Sequence, residues 1–361
     1  MPHLFVDISS HGFGHLAQVA PVLGELGKRL PDVRLTLRSG LPPEKLRARI
    51  GGDFTHLAGR SDFGFVMLDA LRINPAASAA AYRARHADWP RAVADETLLL
   101  GGLRPDLVLT DVAYLPLAAA AHLSIPSFSM CSLNWAEIFA HYFGGEAWAG
   151  KIHAEMLAAY RSAECFLRLT PGMAMADLPR ARTIAPVAAL GRDCRAALRA
   201  RLACAPIEKL VLIAFGGIEQ DLPLDRWPCD PGLRWLVPAG WATARADMTA
   251  IETVALPFAD LLRSVDAVLT KPGYGTFVEA ACNGTPVIYL PRSDGWPEQD
   301  DLIGWLKANA RCGEIDAGVL RSGALPARLA DLWQQSAKQP PSPAGAAQAA
   351  ALIAERLNCR N

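Results

Sequence analysis

Apolar residues along this chain fall in short runs separated by longer stretches of mixed polarity. The runs HLFVDIS (3–9), VRLTLRS (33–39), DLVLTDV (106–112), IPSFSMC (125–131) and ECFLRL (164–169) are too short for core helices. Helix-compatible segments lie between them, and this alternation predicts βαβ units with a parallel sheet. After a break near TIAPVAALGRDC (183–194) the pattern restarts with KLVLIAFGG (209–217), LRWLVPAG (233–240), IETVAL (251–256), DAVLTKPG (266–273) and TPVIYLP (285–291). The restart predicts two doubly wound α/β domains in tandem, over residues 1–190 and 191–340. The proline-rich KQPPSPAG (338–345) cannot continue a helix and reads as a connector. Beyond it AAQAAALIAERL is strongly helical by propensity, so residues 341–361 are expected to carry one last helix, over Ala344–Leu357. Open α/β sheets bind ligands outside the carboxyl ends of their strands, so chemistry is expected in the loops just after strands, facing a cleft between the domains.

Composition narrows the partners. The 36 basic residues balance 36 acidic ones, which leaves no net attraction for nucleic acid or an anionic membrane and favours a small-molecule partner. MPHLFVDISS lacks a basic lead and a long apolar core, and no apolar run reaches the length of a membrane span, so a cytoplasmic protein is expected. Eight cysteines (131, 165, 194, 204, 229, 282, 312 and 359) are scattered without ligand spacing and read as reduced thiols. All eight histidines fall within the first 153 residues. If a histidine acts as base, the first half supplies it.

The most informative stretch is DAVLTKPGYGTFVEAACNGTPVIYLP, Asp266–Pro291. A strand leads into a glycine turn and then a helix, expected from about Thr276 to Asn283 and stopped by Gly284. Gly273 and Gly275 let backbone amides converge at the positive end of that helix, an arrangement suited to phosphate. Thr276 and Glu279 also spell a capping box, T-x-x-E, in which Glu279 would do no more than return to the cap. Both readings stand on the motif alone.

The segment Lys271-Pro-Gly-Tyr-Gly-Thr-Phe-Val-Glu279 resembles the donor-binding segment of nucleotide-sugar glycosyltransferases of the GT-B fold. The resemblance implies two tandem Rossmann-like domains facing each other across a cleft, with the last helix crossing back onto the first domain. It implies that the turn residues Lys271, Gly273, Tyr274, Gly275 and Thr276 hold a diphosphate and that Glu279 binds the ribose hydroxyls. LPFADLLRSVDAVLT looks like the segment that leads into the same box in the peptidoglycan N-acetylglucosaminyl transferase, which puts Phe258 near the nucleobase. Glu298 and Gln299 stand at the spacing of that family's paired glutamines and would face the donor sugar; a solvated polar turn is the competing reading. Gly216 and Gly217, in IAFGGIEQD, would add an amide-lined loop against the phosphates, or form an ordinary tight turn. The resemblance implies an inverting sugar transfer to an acceptor, with a uridine diphosphate sugar favoured over guanosine and thymidine donors and used as a co-substrate without a required metal or other cofactor. A nucleotide-sugar hydrolase, an epimerase of the same fold and a non-catalytic nucleotide-sugar-binding domain are the alternatives.

In the first half, ISSHGFGHLAQV (8–19) places His11 and His15 around two glycines at a strand-to-helix turn. FGHLAQV resembles the glycine loop that ends the first strand of GT-B enzymes. HGFGH, KPGYGT and SLNWAEIF (132–139) are similar to the glycosyltransferase-like domain of plant arabinose kinases. Sugar transfer to a hydroxyl needs a base, and the base needs a carboxylate to fix its tautomer. On this resemblance Gly14 and His15 face the donor, His15 is the base and Asp111, after the fourth strand, is its orienting partner. Helix capping, core packing or phosphate binding are the alternatives for His15. Glycines 12 and 14 oppose the helix that a His-x-x-x-His metal site would need, so His11 is expected to line the cleft. Asn134 and Trp135 are expected on the acceptor side, with burial of the tryptophan as the alternative. Pro21 predicts a late start or a kink in the helix that follows His15.

Overall fold

The computed structural model describes residues 1–217, 222–241 and 244–359. Residues 218–221 of the IAFGGIEQD loop lie outside the described residues.

The first half builds one parallel sheet from β1 (His3–Ile8), β2 (Arg34–Ser39), β3 (Thr55–Ala58), β6 (Leu107–Asp111), β7 (Ser127–Cys131), β8 (Cys165–Arg168) and β9 (Ala181–Thr183). A small antiparallel hairpin, β4 (Met67–Asp69) with β5 (Arg72–Ile73), stands outside it. The strand order is β3-β2-β1-β6-β7-β8-β9. Strands β1, β6 and β7 are buried at every residue, because helices cover both faces of a parallel sheet; that is why they read as short, mostly apolar runs, with His3, Asp7, Thr110, Asp111, Ser127 and Ser129 buried among them.

The second half repeats the design with β10 (Lys209–Ala214), β11 (Leu233–Val237), β12 (Met248–Ala250), β13 (Ala267–Thr270), β14 (Val287–Tyr289) and β15 (Cys312–Glu314). All pairings are parallel in the order β12-β11-β10-β13-β14-β15. IETVAL, expected as a strand, is instead a helical turn over Ile251–Val254, and the strand is the preceding Met-Thr-Ala. Period-two and helical readings of so short an apolar run are nearly degenerate, and pairing with β11 decides between them.

In both sheets the strand order reverses beside the first strand, between β1 and β6 and between β10 and β13. Such reversals leave a crevice at the carboxyl edge, where the connecting helices diverge to opposite faces. Ile8 lies beside Asp111 at one crevice, and Ala214 beside Thr270 at the other. The final helix, Gly345–Asn358, packs against the helix Phe13–Arg29 of the first half. There Gly345 N donates to Pro186 O and Arg356 pairs with Glu164. No helix among the described residues is long and apolar enough to cross a membrane.

Candidate functional site

Gly12 adopts φ 95°, a conformation open to glycine, and turns the chain from β1 into the helix Phe13–Arg29. His11 therefore precedes the helix, whereas His15 sits on its third residue. Pro21 lies inside this helix, which runs through it without the late start that proline suggested.

His15 Nδ1 lies 3.2 Å from Asp111 Oδ1, and both residues are buried. Burial alone would lower the histidine pKa, but the charge and hydrogen bond of Asp111, with Asp62 and Glu298 beyond, outweigh it and leave it raised above 6.5. With Nδ1 committed to Asp111, Nε2 is the ring nitrogen left for a substrate. Val112, directly after Asp111, is held at φ 68°, a strained position for a β-branched residue. Tyr160 over-determines it, donating its hydroxyl to Val112 O at 2.6 Å while accepting from Trp135 N. His15, Asp111 and the Cys131 thiol bring their ligand atoms within 4.8 Å of one another. Burial pushes that thiol well above its usual range, so Cys131 stands beside the pair as a neutral thiol.

His11 differs from its neighbour. Burial, together with the nearby charges of His15, Arg292 and Lys271, pulls its pKa down to about 3, which keeps the ring neutral. It stacks on Trp296 at 6.0 Å and meets the edge of Trp135 at 5.3 Å. Trp135 is fully buried, and its Nε1 donates to Asp62 at 2.7 Å, so it forms a wall behind the histidines and offers no free face for a sugar. Asn134 caps the helix Trp135–Phe143, accepting from Glu137 N at 2.9 Å, which occupies its oxygen in structure. Asp62 was not legible in the sequence: burial and the charge of Asp7 push its carboxyl up to about 6, against the Trp135 bond and His15, which lower it.

Across the cleft, β13 runs into Lys271 and the helix Tyr274–Asn283. The helix starts at Tyr274, two residues before the expected position, with extended Gly273 as its cap. Thr276 is thus inside the helix and no capping box forms. Glu279, 2% exposed, instead binds Arg49 of the first half, with Nη1 to Oε1 at 2.5 Å and Nη2 to Oε2 at 3.3 Å. Lys271 loses protons more easily than usual, at about 8, because burial and the charge of Arg292 oppose its own, while Glu298 and Asp294 partly compensate. Tyr274 turns away from the loop: its hydroxyl accepts from Val187 N and donates to Thr170 O.

The two halves meet at these loops. A Cβ on Gly275 would lie 3.2 Å from Gly14 Cα, so the two glycine turns touch through their backbones. Phe13 N donates to Gly216 O at 3.1 Å, and the Phe13 ring covers Gly217, both glycines having positive φ. Glu298 is buried, contrary to a solvated turn: its oxygens accept from Ser132 Oγ at 2.6 Å and Trp296 Nε1 at 3.3 Å, and burial raises its pKa. Gln299 folds back onto Arg292 N at 2.6 Å. Phe258 opens the helix Phe258–Ser264, with the Arg49 guanidinium 5.2 Å above its ring. Hence His15, Asp111, Gly14, Gly275, Lys271 and Glu298 lie where the two halves meet, whereas Tyr274 and Gln299 spend their side chains on local structure and Asn134 spends its oxygen on a cap while its buried Nδ2 has no partner.

No known protein-family profile matches the chain. An L-arabinokinase of Arabidopsis thaliana is 27% identical over 293 residues, which cover 79% of this chain and 28% of that protein. The chain thus spans little more than a quarter of the length of that relative. Among solved structures, CalG4, the calicheamicin glycosyltransferase, superposes with a TM-score of 0.62 at 14% identity, covering 99% of this chain and 94% of its own. UGT2 of Phytolacca americana, complexed with UDP-2-fluoro-glucose and pterostilbene, gives 0.57 at 14%, over 99% and 100% of the two chains. A UDP-N-acetylglucosamine 2-epimerase gives 0.55 at 13%, over 99% and 97%. The chain has the GT-B fold these structures share.

Proposed function

We propose that this chain is a glycosyltransferase that moves a sugar from a uridine diphosphate donor to an acceptor hydroxyl, with inversion at the anomeric carbon. The observation that carries the reading is the buried His15–Asp111 pair at 3.2 Å, set at one crevice, with a glycine turn and helix N-terminus at the other. Of the related structures, the Phytolacca protein's complex with a UDP-sugar supports the donor class.

In the proposed reaction Nε2 of His15 takes the acceptor proton as the acceptor oxygen bonds to the anomeric carbon. The bond from that carbon to the diphosphate oxygen breaks in the same step, so configuration inverts. The nucleoside diphosphate leaves against the N-terminus of Tyr274–Asn283, where free amides and the helix dipole favour its charge, with Lys271 alongside. Glu298 faces the sugar and Glu279 takes the ribose hydroxyls.

Thermal-shift measurements with nucleoside diphosphates, followed by NMR of products from UDP-sugars, test the reading. Stabilisation by UDP and a new glycoside support it; no response to any nucleotide sinks it. The epimerase fold neighbour favours one competing reading, for which the product would be an epimerised sugar without acceptor.

A base must be unprotonated to act, so the raised pKa of His15 predicts an acidic limb of kcat/KM centred above pH 6.5. Asp111→Asn removes the anion that raises it. The limb is expected to move to lower pH while the plateau drops, by about 10²-fold or more, because the tautomer is no longer enforced. An unmoved limb in a pH–rate series would assign it to another group.

A further inference from the structure

Glu279 is the residue expected to take the ribose, yet both of its oxygens are already held by one guanidinium from the opposite domain. Arg49 donates Nη1 and Nη2 to the carboxylate and lies over the ring of Phe258. Those are the two groups that the donor reading assigns to ribose and nucleobase. A planar cation that bonds two oxygens in a plane and covers an aromatic face fills both places at once.

The element that carries Arg49 is placed to do this. The short helix Pro43–Arg49 ends at Arg49 and is followed by Gly51 and Gly52, the latter at φ 78°. Lys45, on the same helix, lies 5.8 Å over Phe13, the ring that covers Gly217. One segment of the first domain therefore roofs both the nucleoside end and the glycine loop of the second. Arg49 keeps a fifth of its side chain exposed and can leave toward solvent, whereas Glu279 is buried and cannot follow.

We propose that Arg49 is the gate of the nucleoside subsite: bound to Glu279 and lying over Phe258, it occupies the ribose and base positions and must be displaced for the donor to enter. This inference rests on the donor-site reading of Glu279 and Phe258. Its consequence is that the observed nucleotide affinity is the intrinsic affinity reduced by the fraction of molecules with Arg49 withdrawn. Removing the arginine leaves a buried carboxylate without its partner, and the ribose hydroxyls then supply the missing hydrogen bonds.

Calorimetric titration of UDP into the wild type, Arg49→Ala and Arg49→Gln, at low and high salt, tests the gate. Arg49→Ala is expected to bind UDP about tenfold more tightly than the wild type, with Arg49→Gln in between because its side chain still covers part of the subsite but is too short to pair with Glu279. The gap should narrow at high salt, where the partly exposed ion pair is screened. The glutamine variant carries the test if the alanine variant does not fold. Equal or weaker binding by both variants overturns the gate. Absence of UDP binding in all three proteins overturns the donor-site reading beneath it.

Discussion

His15→Ala is expected to lower turnover about 10³-fold, ~4 kcal/mol of transition-state stabilisation, while leaving UDP affinity within a few-fold of wild type. The split follows from where the ring sits. Its Nδ1 is bound to Asp111 on β6, and the diphosphate positions lie on the other domain, so truncation removes the proton acceptor without touching the donor loop. A histidine that served as a helix cap or a phosphate ligand would give the opposite pattern, with stability or affinity falling ahead of turnover. Single-turnover rates with a saturating UDP-sugar, beside calorimetric titration of UDP, separate the cases. Residual turnover within tenfold of wild type would move the base elsewhere, with Asp62, whose carboxyl is pushed up to about 6, the next group to examine.

A second large effect is expected at the contact between the two glycine turns. A Cβ on Gly275 would lie 3.1 Å from Ala17 Cβ and 3.2 Å from Gly14 Cα, and the methyls of valine would project further into the same helix. The obstacle is the Ala17 methyl and Gly14 backbone of that helix, neither of which can rotate aside as a long side chain can. Gly275→Val therefore holds the halves apart by roughly an ångström, and misplacement on that scale costs about 10²-fold in rate when two domains share one reaction. Gly24→Ala is the control on the helix Phe13–Arg29: nothing lies within 4 Å of the added methyl, so activity should be unchanged. Circular dichroism and melting curves for both variants distinguish a lost closure from a lost fold. Wild-type turnover in folded Gly275→Val would show that the turns need not touch.

The corrections all have the same cause. Thr276 and Glu279 have the spacing of a capping box, but the helix begins at Tyr274 and Arg49 supplies a stronger, charged partner for Glu279. IETVAL is apolar enough for a strand, but Met248–Ala250 pairs with β11 in its place. Asn134 and Trp135 follow a strand as site residues do, yet the oxygen of one caps a helix and the indole of the other is held by a buried bond to Asp62. Trp296, Arg49 and Tyr160 act through contacts with residues distant in the chain, and no local pattern marks them.

The sequence by itself determined the central strands of both sheets, their alternation with helices, the restart that makes two sheets, and the glycine turns at the crevices, but not the edge strands such as Thr55–Ala58, Ala181–Thr183 and Met248–Ala250. Strands buried on both faces are largely apolar, and the turns at Gly12, Gly216 and Gly217 hold positive φ that glycine adopts freely, so these features are written locally. Only the tertiary structure decided which charged groups meet. His15 finds Asp111 across 96 residues and Arg49 finds Glu279 across 230, pairings that depend on strand order and domain closure. Ion pairs and buried hydrogen bonds have no period along a chain. Their partners are set by which crevice faces which, and that is fixed when the two sheets pack.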